Sequence, residues 1–351
     1  MMNWCPQLSP SKKPITQGYR LSVIDMKLIW FILRRVLLLI PVLLGILIIS
    51  FTLSRVIPAD PVRYAAGQNA TEEMVESLRS EFGLDKPLPE QFLNYINSIV
   101  HGNLGRSLTT RRAVIDDLSR FYPATLELVI VTVFLGVITG VPAGVIAARY
   151  ENRLPDHISR IFAFGMVSLP GFWLALVLQL LAAMVFKFLP ISGRFDPNID
   201  PPTAITHLYI LDSILTLNGE ALLVSIKHIF LPALALSAPI LATITRMSRA
   251  GMVEALRKDF VLNAKASGMP EVVILLRYAF QHAMIPVLSM IGLSFTWSMA
   301  GSVLIENIFN WPGLGHYVVE ASLLLDYNPL MGTMLAFGLT CGIINILVDL
   351  G

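Results

Sequence analysis

Few residues in this chain stand where covalent chemistry could be done. Cys5 and Cys341 are isolated, which leaves no disulfide framework and no cysteine-based metal spacing. The six histidines are scattered, without the paired spacing that metal ligation requires. No Gly-Lys dipeptide occurs anywhere, so the loop that cradles nucleotide phosphates around a lysine is absent. Ser294, in Gly292-Leu293-Ser294-Phe295, lies in an apolar run and could be a nucleophile only beside a base. No histidine falls in a later apolar run, and His316 belongs to a connection between two runs, so an intramembrane serine protease is disfavoured. Glu127, just after Pro123 at the start of an apolar run, could line a path for a solute. One turn into a helix it could equally complement the N-terminal dipole, which is the reading preferred here. No catalytic residue and no metal site are expected.

The stretch that stands out is mechanical rather than catalytic. Arg246 to Pro286 is a long, basic interruption between two apolar runs. Val253, Leu256, Phe260 and Ala264 fall at helical spacing on one side, with Glu254, Arg257, Lys258 and Lys265 elsewhere. Gly268 supplies a left-handed residue to close that helix, and Pro270 suits the first turn of the next. Ala264, Ala266 and Gly268 leave a shallow, backbone-close surface that another protein could grip. An ordinary amphipathic helix lying in the membrane interface would satisfy the same pattern.

The elements that must hold this stretch are membrane-spanning. Of 351 residues 55% are hydrophobic and only 14% charged, with a mean hydropathy of +0.67, which excludes an ordinary soluble globule. The formal charge of +2 is too small to suggest nucleic acid as a partner. At about 20 residues per crossing, six spans are predicted, near 28–54, 124–148, 161–188, 228–245, 284–305 and 329–350. Pro41, Pro142, Pro170 and Pro239 should kink them, and Gly140 and Gly144 should let helices approach closely. Trp173, Trp297, Met284, Met290 and Met299 read as packing or interface residues. Arg34 and Arg35 can reach the headgroups, and Asp349 should lie at an interface.

Charge sets the orientation. Lys27, Arg34 and Arg35, then Arg149, Arg153 and Arg160, then the basic residues between Arg246 and Arg277 mark alternate connections. Residues 306–328 hold no Lys or Arg, and residues 190–220 set Arg194 against Asp196, Asp200, Asp212 and Glu220. The positive-inside rule therefore predicts both chain ends and the 246–283 loop in the cytoplasm. Residues 1–26 read as a polar tail, with Met26 as a natural beginning and no cleaved signal, and residues 27–351 as one six-span domain. The 55–123 connection is the largest outside piece. It should carry a helix from the N-cap Thr71 to a stop at Gly83, and another over Glu90 to Val100. Loop and short helix are expected in 190–227.

A series of motifs runs through the chain in order. They are Ile57-Pro58-Ala59-Asp60-Pro61, Gly83-Leu84-Asp85-Lys86-Pro87-Leu88, Gly102-Asn103-Leu104-Gly105-Arg106-Ser107, Pro123-Ala124-Thr125-Leu126-Glu127-Leu128, Ser168-Leu169-Pro170-Gly171-Phe172-Trp173 and Glu306-Asn307-Ile308-Phe309-Asn310-Trp311-Pro312-Gly313-Leu314-Gly315. With the 246–283 loop, they resemble the bacterial ABC importer permeases of the dipeptide, oligopeptide and nickel family, over about residues 27 to 350. The loop is similar to that family's EAA loop, although Leu262-Asn263-Ala264 stands where many importers have Glu-Ala-Ala. The family's usual basic tail beyond Val348-Asp349-Leu350 is not present before Gly351.

The resemblance implies an all-α, type I importer domain in the cytoplasmic membrane, paired with a second, related permease subunit. It also implies two ATPase subunits that bind ATP and Mg²⁺ on its behalf, and an extracytoplasmic solute-binding protein. Glu254, Asp259, Phe260, Ala264, Ala266 and Gly268 would then form the coupling segment that docks on an ATPase. The long 189–227 connection looks like that of peptide members rather than nickel members. A passive channel or scaffold is the alternative of a different class, and it would need no ATPase.

Overall fold

Several of the apolar runs fold as helices much longer than a membrane requires. The computed structural model describes residues 17–56, 63, 71–81, 85–185 and 187–350. Among these there is no strand, only an isolated bridge between Arg106 and Ala113. In chain order the helices are α1 (Gln17–Val56), α2 (Glu72–Glu81), α3 (Leu88–Val100), α4 (Val114–Arg149), α5 (Leu154–Ser168), α6 (Gly171–Met184), α7 (Tyr209–Leu215), α8 (Gly219–Leu256), α9 (Asp259–Ala266), α10 (Glu271–Ile308), α11 (Leu314–Leu323) and α12 (Tyr327–Leu350). With 36 and 38 residues, α4 and α8 are about 54 and 57 Å long at 1.5 Å per residue, against a hydrocarbon layer of about 30 Å. Both helices therefore project well beyond the lipid.

Five of these helices are long and apolar enough to cross a membrane, and the bent pair α5 and α6 brings the number to six if the two make one span. That pair corrects the third predicted span. Instead of one helix kinked at Pro170, the chain makes a 99° bend at Leu169-Pro170 between two separate helices. Pro170 has no N–H to continue the helix, and it disfavours helical backbone at Leu169, which is extended here with ψ 129°. Pro41, Pro142 and Pro239 sit inside continuous helices, as do Pro123, Pro232 and Pro286.

Other boundaries also move. α1 begins at Gln17, so residues 17–26 are helical and not the loose tail expected. Once Pro14 is passed, the sequence contains no proline before Pro41 to stop a helix. α2 matches its prediction, with the Met74 N–H donating to the Thr71 hydroxyl at 3.3 Å. α3 starts at Leu88, after Pro87 and with Pro89 in its first turn. Residues 306–328, read as a connection, contain α11. Residues 1–16, the motif Ile57–Pro61 and the expected stop at Gly83 lie outside the described residues.

α8 is the axis of the bundle. In its most apolar stretch 61% of residues are buried, against 11% for α1, which lies along α12 at the periphery. The closest pairing is α4 against α8. A Cβ on Gly144 would come within 2.6 Å of the Ser248 side chain and the Thr245 carbonyl, so only glycine lets the two backbones meet there. The core changes character along the bundle. At the end far from α9 it is built on Leu128, Ile229, Ile305, Phe309 and Trp311. Near α9 it is built on Ala148, Met252, Ala255, Leu275, Ala279 and Ala283. Arg35 and Asp349 join the first and last helices at 2.8 Å, a partnership the interfacial reading of each did not foresee.

Candidate functional site

The segment singled out by its basic composition folds as a short helix held on a turn. α8 ends at Leu256, the backbone opens at Lys258 (ψ 152°), and α9 starts at Asp259. The expected single helix through 253–266 is therefore two. Leu256, Phe260 and Ala264 nonetheless gather in one small cluster with Val261 and Ile274. Asp259 occupies the first turn of α9 and Lys265 its last, each with the sign that the helix dipole favours.

Gly268 ends α9 as expected. Its φ is +72°, its N–H donates to the Lys265 carbonyl at 3.0 Å, and the Met269 N–H donates to the Ala264 carbonyl at 3.2 Å. These two bonds form the Schellman closure, which needs a left-handed residue at this point. A Cβ on Gly268 would meet nothing within 4 Å, so the requirement is conformational, not steric. Pro270 precedes the next helix, α10, instead of lying in its first turn. Residues Ile274–Ala279 of α10 form a wider, π-helical turn.

The six proposed coupling residues divide into two groups. Ala266 and Gly268 are exposed, as are Asp259 and Glu254, and Glu254 pairs with Lys258 at 2.9 Å. Phe260 is half-buried with its ring stacked on His282, centroids 4.5 Å apart. Ala264 is buried by this chain's own Val261 and Ile274. The gripping surface predicted at 264, 266 and 268 is therefore smaller than expected, because Ala264 faces inward. Leu262, Met269, Val272 and Leu276 are exposed alongside. They add apolar surface that the sequence pattern did not flag.

Glu127 lies inside α4, on the side of the bundle far from α9, and its surroundings correct the dipole reading. α4 begins at Val114, so Glu127 is more than three turns from the N-terminus. Its carboxylate accepts Arg194 Nη2–H at 2.6 Å and the Ile210 N–H at 2.7 Å. The guanidinium also donates to the His207 carbonyl at 2.8 Å and lies over the Tyr209 ring, 3.8 Å from its centroid. Both partners of this pair are buried. One turn of α4 gathers further connections. Trp311 Nε1–H donates to the Ala124 carbonyl at 2.9 Å. The Thr125 hydroxyl donates to Glu306 at 2.8 Å and accepts the Leu314 N–H at 2.7 Å. Glu306, fully buried, also accepts the N–H groups of Gly315 and His316 at 2.6 and 3.1 Å. Glu127 therefore fastens a loop rather than facing an open path.

The charge pattern could have suggested this. Arg194 is the lone cation of an acidic connection, and a carboxylate in an apolar run must find such a partner. Sequence reasoning missed Glu306 as an anchor, and it missed Asp156 beside Arg249.

Between α6, α8 and α10 a groove of about 590 Å³ opens at the side of the bundle, lined by Phe172, Pro239, Met290, Ser294, Trp297 and Ser298. Trp297 is largely exposed there, whereas Met299 is buried in the core. As expected of packing or interface residues, Met299 sits in the core with Met284 and Met290 packed against it, and Trp173 and Trp297 are exposed; Met290 and Trp297 also line the groove. Ser294 accepts the Ser298 hydroxyl through its backbone carbonyl, while His228 and His282 engage carbonyls of their own helices. Among the described residues no group of three or more His, Cys, Asp or Glu could hold a metal ion.

Comparisons place this architecture among known proteins. A family model described as "Binding-protein-dependent transport system inner membrane component" matches residues 140–351, and the N-terminal model of the same kind of membrane component matches residues 28–129. The chain is 40% identical over 322 residues to a probable D,D-dipeptide transport system permease protein of Escherichia coli, covering 92% of this chain and 95% of that one. It is 36% identical over 320 residues to a dipeptide transport system permease protein of Alkalihalophilus pseudofirmus, covering 91% and 96%. It is 35% identical over 320 residues to a glutathione transport system permease protein of Escherichia coli, covering 91% and 95%.

Proposed function

We propose, from the premise that the chain belongs to the family of binding-protein-dependent transport system inner membrane components and is a permease subunit of an ABC importer, that its cargo is a dipeptide or short oligopeptide moved into the cell. The observation that carries this reading is the agreement of relatives matched over at least 91% of the chain, named for D,D-dipeptides, dipeptides and glutathione.

The chain is a multi-pass inner-membrane protein. In our reading both chain ends and α9 lie in the cytoplasm, because the Lys and Arg residues concentrate in those connections. Two ATPase subunits bind ATP and Mg²⁺ there, and one receives the exposed face of α9. A second, related permease subunit closes the groove beside Trp297, so that the path runs between the two chains. That groove presents hydroxyls but no charged side chain, which suits passage better than tight binding. Selection of the cargo then falls to an extracytoplasmic binding protein, which docks where α2, α3, α7 and α11 emerge. ATP binding draws α9 inward and opens the outer side, and hydrolysis resets it. The chain itself performs no catalysis in this scheme.

Uptake tests the reading directly. Cells lacking their own dipeptide importers would express this chain with its second permease, ATPases and binding protein, and receive radiolabelled dipeptide. Accumulation that stops when ATP is depleted is the expected result. Accumulation of another solute but no peptide would overturn the cargo.

A further inference from the structure

The segment carrying α9 is tied on both sides to one partner, the elbow that joins α4 to α5. Just before α9, Arg257 reaches Glu151 at 2.8 Å. Just after it, Glu271, the first residue of α10, meets Arg149 at 3.2 Å. A third pair lies deeper. Asp156, in the first turn of α5, accepts two bonds from the Arg249 guanidinium, the one from Nη2 at 2.8 Å. The same carboxylate accepts the Asn152 N–H at 2.9 Å, which closes the elbow where Asn152 turns through φ +60°, and Arg160 stands 3.5 Å away.

These pairs differ in what solvent does to them. The side chains of Arg257 and Glu271 are 69% and 62% exposed, so water and salt leave their attraction weak and easily exchanged. The Asp156 side chain is 0% exposed. Parting from Arg249 would leave this enclosed carboxylate facing only the half-exposed Arg160, so the pair resists opening more than the other two.

We propose that Asp156 and Arg249 are the pivot of the coupling movement, a positioning pair that stays joined through the transport cycle while Glu151–Arg257 and Arg149–Glu271 open and close around it. Motion of α9 then passes through the elbow into α4 and into the bent α5–α6 pair, as well as along α8 and α10. α4 carries it to the turn at Ala124–Glu127, where the connections of the far side are fastened. The proposal rests on the reading that an ATPase drives α9.

The test uses the complete importer in proteoliposomes, with alanyl-alanine uptake and ATP hydrolysis measured together. Asp156→Asn should assemble and hydrolyse ATP but move about tenfold fewer peptides per ATP. Asp156→Glu, which keeps a carboxylate for Arg249, should recover much of that ratio. A residue that only stabilises the fold would lower the amount of assembled importer and leave the ratio unchanged, which would overturn the proposal. If Asp156→Asn fails to assemble, Glu151→Cys and Arg257→Cys in a chain without Cys5 and Cys341 decide the matter. Bridging the two thiols with a short cleavable linker should stop uptake, and cleaving it should restore uptake. Undiminished uptake while bridged would overturn the proposal. Gly268→Asp separates the underlying reading: if it uncouples hydrolysis from uptake while Asp156→Asn does not, the pivot alone falls.

Discussion

Two stretches of α4, the turn at Ala124–Glu127 and the C-terminal turn at Arg149, are built on opposite plans. At Ala124–Glu127 the helix is crossed by chain from two connections, Glu127 is enclosed with Arg194, and Glu306 is enclosed among hydroxyl and N–H donors. At Arg149 the neighbouring packing is mostly alanine, and the Arg149–Glu271 and Glu151–Arg257 pairs lie open to water. The first holds its own loops with buried aromatic rings and buried charge. The other holds α9 with just enough contact to place it, while Leu262, Met269 and Val272 stay uncovered. A rod fixed at one stretch and lightly held at the other is what a transmitted movement requires. In a bilayer this difference must come from packing and polar contacts, because apolar surface gains little by leaving lipid.

The substitution that tests this contrast hardest is Gly268→Asp. Asp tolerates left-handed backbone better than most residues, and a Cβ at this position meets nothing within 4 Å. Its charge opposes the dipole at the end of α9 by only about 0.3–1 kcal/mol. Insertion and folding should therefore survive, while peptide uptake falls at least about tenfold with ATP hydrolysis retained. Normal uptake would mean that the lightly held end needs no partner, and the contrast would lose its meaning.

The next largest effect belongs to the far end. Arg194→Met leaves Glu127 buried without its cation, which should cost about 3–5 kcal/mol, read as a lower melting temperature of the detergent-solubilised protein. Adding Glu127→Leu should return most of that loss, since the uncompensated charge is then gone. Trp311→Phe should cost less, about 1–3 kcal/mol, because the ring volume is largely kept but the Ala124 carbonyl loses its donor. Equivalent losses from Arg257→Gln, at the exposed end, would erase the distinction.

Much of this architecture is legible in the sequence. Apolar length gave the crossings, and the glycine–proline pair at 268 and 270 marked the end of α9. Where the reading failed, the deciding contacts were distant in sequence. Pro170 looks like any kinking proline. The bend becomes a break in a fold where α5 is held to α8 by Asp156 and Arg249, 93 residues apart. Pro123 looked like a helix start because proline suits a first turn. The earlier turns from Val114 are stabilised by packing of Val114 and Leu118 on Leu314 and Tyr317. Glu127 and Arg194 are 67 residues apart, and only the fold makes them neighbours. Periodicity reports which residues are apolar; it cannot report which charge meets which.

The smallest predicted effect is a pH response at the far end. Asp212, in α7, accepts the N–H groups of Ile205, Thr206 and His207 at 3.2, 2.8 and 3.0 Å, and the Thr206 hydroxyl at 2.6 Å. Burial pushes its carboxyl up, but these four bonds outweigh burial and hold it below the ordinary value. A depressed value means that the ionised group stabilises the fold above its unfolded pKa of about 3.9, and that this is lost as pH falls through the folded value. Asp326 works in the opposite sense. Burial drives it up against hydrogen bonds from Ser107 and Thr109, so its fold prefers the proton and gains as pH falls through that raised value. Between pH 7 and 5 the loop at 205–212 should therefore resist proteolysis unchanged. Below about pH 4 it should be cut faster, and Asp212→Asn should be cut at that faster rate at neutral pH. A loop that loosens already at pH 6 would mean that the far end is held by something other than these carboxylates.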